Sequence, residues 1–261
     1  AMRGLLSELK LNTVCQQALC PNISECFGCG QATFLILGRD CTRQCSFCNV
    51  DKAPRPQAPD ADEPRRLAEA VLRLKLSHVV ITSPTRDDLA DGGAAHYAAT
   101  VAAVREASPG TAVELLVPDF GGDHVALATV LKAQPAILAH NLETVPRLYE
   151  VRKGADYQRS LELLQQAALR APAIPTKSGI MLGLGEELDE VRAVLQDLRR
   201  VGCSYLSLGQ YLAPSKRHQP VVAYLEPQLF DQLRDEALTL GFRHVESGPY
   251  VRSSYRAANY A

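Results

Sequence analysis

Cys41-Thr42-Arg43-Gln44-Cys45-Ser46-Phe47-Cys48 sets three cysteines at C-x3-C-x2-C spacing, with an aromatic just before the last. Three thiolates on one tight loop suit three irons of a cubane cluster and leave the fourth iron without a protein ligand. An open iron binds and reduces a small molecule, whereas a fully ligated cluster only passes electrons. The competing reading is structural zinc. That ion asks for a second C-x2-C pair or closely spaced histidines, and no histidine precedes His78.

Around this loop the bulk numbers are ordinary. The chain has 261 residues, 46% hydrophobic and 22% charged, enough for one large α/β domain with a sizeable core. A net charge of −1 argues against a nucleic-acid partner held by bulk charge, and the absence of Trp argues against a base-stacking surface. Of the eight cysteines, seven lie between Cys15 and Cys48, six of them in two triads at metal-like spacing. That usage points to thiolate ligation in a reducing compartment and not to disulfides. No signal peptide and no apolar run of transmembrane length is read, so the expectation is no membrane and a cytoplasmic protein, or an organelle-matrix one if processed. Ala1 ahead of Met2 reads as a tag remnant.

Short apolar runs alternate with helically periodic stretches. The spacing predicts strands at Thr33–Gly38, His78–Ser83, Ala112–Pro118, Ala136–Asn141, Gly179–Leu184 and Ser204–Gly209. It predicts helices at Glu63–Leu76, Ala94–Ala107, Asp123–Ala133, Tyr157–Arg170, Leu188–Val201 and Pro227–Leu240, with Gly202 and Gly241 as C-terminal caps. Six βα units in series imply a parallel sheet with helices outside: a partial (β/α)6 barrel with N- and C-terminal extensions. The expected division is 1–32, 33–241 and 242–261. In such a barrel the chemistry lies on loops after the strands. Those loops carry Cys41–Cys48, Ser83 and Arg86, Asp119, Asn141 and Glu143, Gly183 to Glu186, and Gln210.

A second triad precedes the first. Cys15, Cys20 and Cys26 follow C-x4-C-x5-C. Three core thiols within so short a stretch would be unusual, so a second metal site is expected. Cys29 and Cys203 are left over and read as structural.

The signature loop resembles that of the radical S-adenosylmethionine (SAM) superfamily. Both triads together with Gly248-Pro249-Tyr250-Val251-Arg252-Ser253-Ser254-Tyr255 resemble the lipoyl synthase family. Further matching stretches are Arg86-Asp87-Asp88-Leu89, His140-Asn141-Leu142-Glu143, Pro175-Thr176-Lys177-Ser178-Gly179 and Leu208-Gly209-Gln210-Tyr211, so the likeness runs from about Asn12 to Ala257. The resemblance implies two 4Fe-4S clusters. One sits on Cys41, Cys45 and Cys48 and binds SAM. The other is an auxiliary cluster on Cys15, Cys20 and Cys26 whose fourth ligand is a serine oxygen, mapped to Ser253 with Ser254 as the alternative. An alkoxide is a harder partner for iron than a thiolate, which suits a cluster meant to be dismantled.

The resemblance further implies insertion of sulfur at C6 and C8 of an octanoyl group on a lysine of a lipoyl carrier. Those carbons have no acidic C–H, so a radical from SAM abstracts hydrogen in place of acid–base catalysis. The auxiliary cluster supplies the sulfur, and no residue is assigned as acid or base. Cofactor contacts are expected from Ser83, Asn141, Glu143, Gly183 and Gln210. The expected partners are an octanoylated carrier (an E2 lipoyl domain or a glycine-cleavage H protein), an external electron donor and an iron–sulfur delivery protein.

Plainer roles stand beside these. Asn141 and Glu143 could cap a helix. Gly183-Leu184-Gly185-Glu186 lacks the Lys-Ser/Thr of a phosphate loop. Asp87-Asp88 reads as ion pairs or a cap more than as a catalytic acidic pair. Other function classes are a biotin synthase-like or tRNA-thiolating enzyme, and a non-catalytic iron–sulfur electron carrier. The family commonly has more chain ahead of the first triad.

Overall fold

The computed structural model describes residues 2–260. They pack as two compact units, one built from residues up to Arg43 together with 49–138, the other from 44–48 together with 139–260.

The first unit opens with α1 (Met2–Glu8), β1 (Asn12–Thr13), α2 (Val14–Gln17) and α3 (Ile23–Gly28). It continues through β2 (Thr33–Leu35), β3 (Asp40–Cys41), β4 (Asp51–Lys52), α4 (Glu63–Leu74), β5 (His78–Thr82), α5 (Ala94–Ala107), β6 (Ala112–Leu116) and α6 (His124–Lys132). The chain passes into the second unit within β7 (Ile137–Ala139). β1 runs antiparallel to β2, while β2, β5 and β6 pair in parallel in chain order. The α-helices between consecutive strands turn apolar residues inward. In α4, Leu67, Ala70 and Val71 are buried at helical spacing, Pro64 sits in the first turn, and Lys75 ends the helix at φ 51°.

The second unit holds α7 (Tyr157–Arg170), β8 (Thr176–Leu182), α8 (Leu188–Arg200), β9 (Tyr205–Gln210), α9 (Pro227–Thr239) and β10 (His244–Gly248). β8, β9 and β10 pair in parallel, with Lys177 and His244 both opposite Tyr205. The core lies between these strands and helices, built on Leu164, Val191, Leu195, Leu206, Leu208 and Phe230.

The expected strands and helices are all present, and α5 and α7 have the expected ends. Two bounds move. The strand expected at Ala136–Asn141 stops at Ala139, and that expected at Gly179–Leu184 begins at Thr176 and ends before Gly183, whose φ of 100° breaks the extended backbone. β10 carries one buried apolar residue, Val245, among His244, Glu246 and Ser247, so it lacks an apolar run to read.

The C-terminal segment is fastened at its end. Lys177 is 1% exposed, and its ammonium lies 3.7 Å from the centre of the Tyr260 ring. The Tyr260 hydroxyl donates to Leu206 O at 3.0 Å, and the ring also meets Tyr205 and His244. A buried ammonium is costly unless matched, and a ring face matches it. The stretch from Gly248 to Tyr260, which includes Ser253, is thus tied at both ends within its unit. Among the described residues no helix is long and apolar enough to cross a membrane.

Candidate metal centres and cofactor cavity

The N-terminal triad lies on and between two short helices. Thr13 caps α2 by accepting from the Gln16 N–H, which leaves Cys15 buried on that helix. Cys20 follows, and Cys26 is on α3. The Asn49 amide donates to Gln17 O at 2.6 Å and the Gln17 amide donates to Arg39 O at 3.2 Å, fixing α2 from two sides. Burial raises the Cys15 thiol, with Cys20 adding to it. Burial and the Cys15 and Cys20 thiols push Cys26 up to about 11. The three sulfurs therefore stand within electrostatic reach of one another. Such a donor set could hold a polynuclear iron site, where iron would replace the protons that the thiols otherwise keep. Among the described residues no three His, Cys, Asp or Glu side chains converge enough to hold a single metal ion. A cube of four irons instead spreads its thiolates over separate corners. Cys29 is exposed at the end of α3. Cys203 is a core thiol, buried and pushed up to about 12 by that burial.

The signature loop is held by protein groups. Its entry is bracketed by the β3–β4 ladder, Asp40 opposite Asp51 and Cys41 opposite Lys52. Thr42 donates to Thr85 O from its backbone and its hydroxyl, both at 3.0 Å. Arg43 is the main fastening. It grips Asp87 at 2.8 and 2.9 Å and Asp119 at 3.0 and 2.6 Å, two bidentate forks from one buried guanidinium. Burial opposes its charge, but the two carboxylates raise its pKa further above the ordinary value. Asp87 is thus an ion-pair residue, the plainer of its two readings. Arg86 likewise grips Asp88 twice at 2.8 Å and donates to Leu37 O. In the second unit, Ser46 N–H donates to Val151 O and Gln219 N–H to Ser46 O, both at 2.9 Å.

The residues expected to touch a cofactor fall into different situations. Ser83 accepts from the fully buried Tyr97 hydroxyl at 2.9 Å. The Gln210 amide is occupied by backbone, donating to Tyr211 O and Ala223 O and accepting from Leu225 N–H, each at 3.0 Å. Gly183 lies beneath it, and a Cβ there would overlap the Gln210 amide and Ala223 O. The Gly183 and Leu184 N–H groups donate to the Glu186 carboxylate at 2.5 and 2.9 Å, so the chain supplies the anion that a phosphate would be.

Asn141 and Glu143 instead line a cavity of about 100 Å³ together with Gly179, Ser207, Gly209, Arg252 and Ser253. Glu143 holds φ 67° and bridges to Ile180, with its N–H donating to Gly179 O at 3.0 Å. Burial raises its carboxyl above the usual range. The Asn141 amide nitrogen donates to Glu143 Oε1 at 3.1 Å and to Ser253 Oγ at 3.0 Å.

Two strand glycines make this possible, and reasoning from the sequence missed both. A Cβ on Gly179 would stand 2.7 Å from Ser207 Oγ and 2.9 Å from Asn141 Oδ1. One on Gly209 would overlap the Val251 carbonyl, because the C-terminal segment lies directly on β9. A glycine inside a strand is the available signal for such a close approach. Gly209→Ala is expected to push the 249–253 segment off β9. The expected cost is about 2 kcal/mol, a fall in Tm of roughly 5 °C in a thermal melt, with faster proteolysis near Val251. An unchanged melt would show that the segment gives way freely.

Comparison with known proteins now fixes the family. Residues 35–198 match the Radical SAM superfamily model. A lipoyl synthase of Trichlorobacter lovleyi is 95% identical over 100% of this chain and 93% of its own length. The chain belongs to the lipoyl synthase family of radical SAM enzymes. Members of this family are radical SAM enzymes that insert sulfur, and the superfamily chemistry uses a 4Fe-4S cluster and SAM. Among solved structures, SuiB of Streptococcus suis bound to S-adenosylmethionine aligns with a TM-score of 0.64 at 9% identity, over 86% of this chain and 53% of that one. Methylornithine synthase aligns with a TM-score of 0.60 at 15% identity, over 94% and 82%. At such identities these two establish the fold, the partial α/β barrel of this superfamily.

Proposed function

We propose that the chain inserts two sulfur atoms, at C6 and C8, into an octanoyl group attached to a lysine of a lipoyl carrier domain. The observation that carries this reading is the second group of thiols, Cys15, Cys20 and Cys26 on and between α2 and α3, separate in sequence from the signature loop. An enzyme that only cleaved SAM would need one triad. Cys41, Cys45 and Cys48 would hold the SAM-binding cluster, and Cys15, Cys20 and Cys26 with Ser253 the auxiliary one. When bound, SAM and the two clusters supply the hydrogen-abstracting radical and the sulfur.

The chain's own residues bind, orient and exclude water. Asn141 and Glu143 offer acceptors to cofactor hydroxyl or amine groups at the cavity. Gly183 and Gln210 shape the backbone after β8 and β9, with Gln210 acting through its hold on Tyr211, Ala223 and Leu225. Ser83, fixed by Tyr97, adds a hydroxyl after β5. The partners are an octanoylated E2 lipoyl domain or glycine-cleavage H protein, an electron donor and an iron–sulfur delivery protein, in a reducing compartment such as the cytoplasm.

The test is anaerobic incubation of the reconstituted enzyme with SAM, reductant and an octanoyl-lysine peptide, followed by mass spectrometry. The expected product is the peptide carrying two added sulfurs, with 5′-deoxyadenosine formed alongside. SAM cleavage with no sulfur on the peptide would reject this acyl substrate.

A further inference from the structure

The side chain of Asn141 is asymmetric in its bonding. Its amide nitrogen has two N–H groups, and two oxygens accept them: Glu143 Oε1 at 3.1 Å and Ser253 Oγ at 3.0 Å. Both N–H groups of the amide are used at those contacts. Asn141 Oδ1 then faces the other way. It is buried and has no hydrogen-bond partner among the described residues. Gly179 leaves room beside it, since a Cβ there would stand 2.9 Å from this oxygen. A buried amide oxygen without a partner is uncommon and marks a place where a donor belongs.

The nitrogen side serves the C-terminal segment instead. Ser253 is 112 positions away in sequence. Its hydroxyl oxygen is held by a donor in a segment that lies on Gly209 and is fastened at Tyr260. A serine oxygen that accepts from an amide keeps its position without giving up its own proton to a neighbour. That is the arrangement a metal-ligating oxygen requires of its surroundings.

We infer that Asn141 is the positioning residue for Ser253, its amide nitrogen holding the serine oxygen for iron while its amide oxygen faces the cavity. One side chain then serves two sites through opposite ends. The inference rests on the reading of Ser253 as an iron ligand. It assigns Asn141 a role that a cofactor contact alone does not include.

The test removes the cofactor from the question. In the full chain carrying Cys41→Ala, Cys45→Ala and Cys48→Ala, only the N-terminal triad remains for a cluster. After anaerobic reconstitution with iron and sulfide, two quantities are read without SAM: the rate of iron loss to a chelator, and the Mössbauer signature of the iron that lacks a thiolate. Ser253→Ala is expected to speed iron loss and change that signature. Asn141→Ala is expected to do the same, on the order of ten- to hundredfold in rate, the usual range for groups that orient a metal ligand. Asn141→Asp, similar in size but without the N–H groups, is expected to follow Asn141→Ala. Adding Ser253→Cys to Asn141→Ala is expected to restore slow loss, because a thiolate binds iron without the amide's help. Slow loss in both Asn141 variants alongside fast loss in Ser253→Ala would overturn the inference and leave the ligand reading standing. Failure of Ser253→Cys to rescue would also overturn it, assigning Asn141 a merely structural part. Unchanged behaviour of Ser253→Ala would instead reject Ser253 as the ligand, and this inference with it.

Discussion

Cys41→Ala is expected to abolish reductive cleavage of SAM while leaving the other cluster in place. Cys41 ends β3, and Arg43 N–H reaches its sulfur at 3.4 Å. With alanine there, two thiolates remain on the loop and no cluster with a single open iron can form. The loss should reach background, at least about a thousandfold, as when one member of a concerted unit is removed. Formation of 5′-deoxyadenosine reads the activity, and iron analysis with Mössbauer spectroscopy reads the clusters. About half the iron should persist, because the N-terminal triad is fixed by α2, α3 and the Asn49 and Gln17 amides and not by Cys41. Loss of all iron would show that the two centres are not independent.

Cys20→Ala should divide the reaction at the opposite point. Its thiol belongs to the group that raises Cys26, and its removal leaves the signature loop and Arg43 untouched. SAM cleavage should stay within about threefold of the parent, while sulfur insertion falls to background. That contrast separates a sulfur donor from a structural support, since a misfolded barrel would lose both activities together. Lipoyl product formed by this variant with only SAM and reductant present would place the donor elsewhere.

Much of this architecture is legible in the chain itself, for identifiable reasons. Parallel strands buried on both faces read as runs such as Val79-Val80-Ile81, and the helices between them keep their apolar period. Thiolate spacing is equally plain, because a loop ligating one cluster must place its sulfurs within a few residues. What was hidden depends on chain distance. Arg43 is one arginine among many until Asp87 and Asp119 come to it from the ends of two other strands. Gly179 and Gly209 look like weak points in a strand until Asn141 and Val251 are seen resting on them. Gln210 stands where a cofactor contact is expected, yet its amide is taken up by Tyr211, Ala223 and Leu225. β10 escaped notice because its polar residues give no period.

The double fork of Arg43 bears on repair. A loop shaped only by its iron would collapse when air or a chelator strips the metal, and each reloading would have to rebuild the backbone. Here the Cys41–Arg43 end is pinned by carboxylates and by Thr85, and the Ser46 turn by Val151 and Gln219, all from the protein itself. The shape of the loop is therefore written in ion pairs and backbone bonds as well as in its thiols. Loss of iron from such a loop is expected to be a loss of inorganic parts, to be made good by fresh iron and sulfide without refolding the chain.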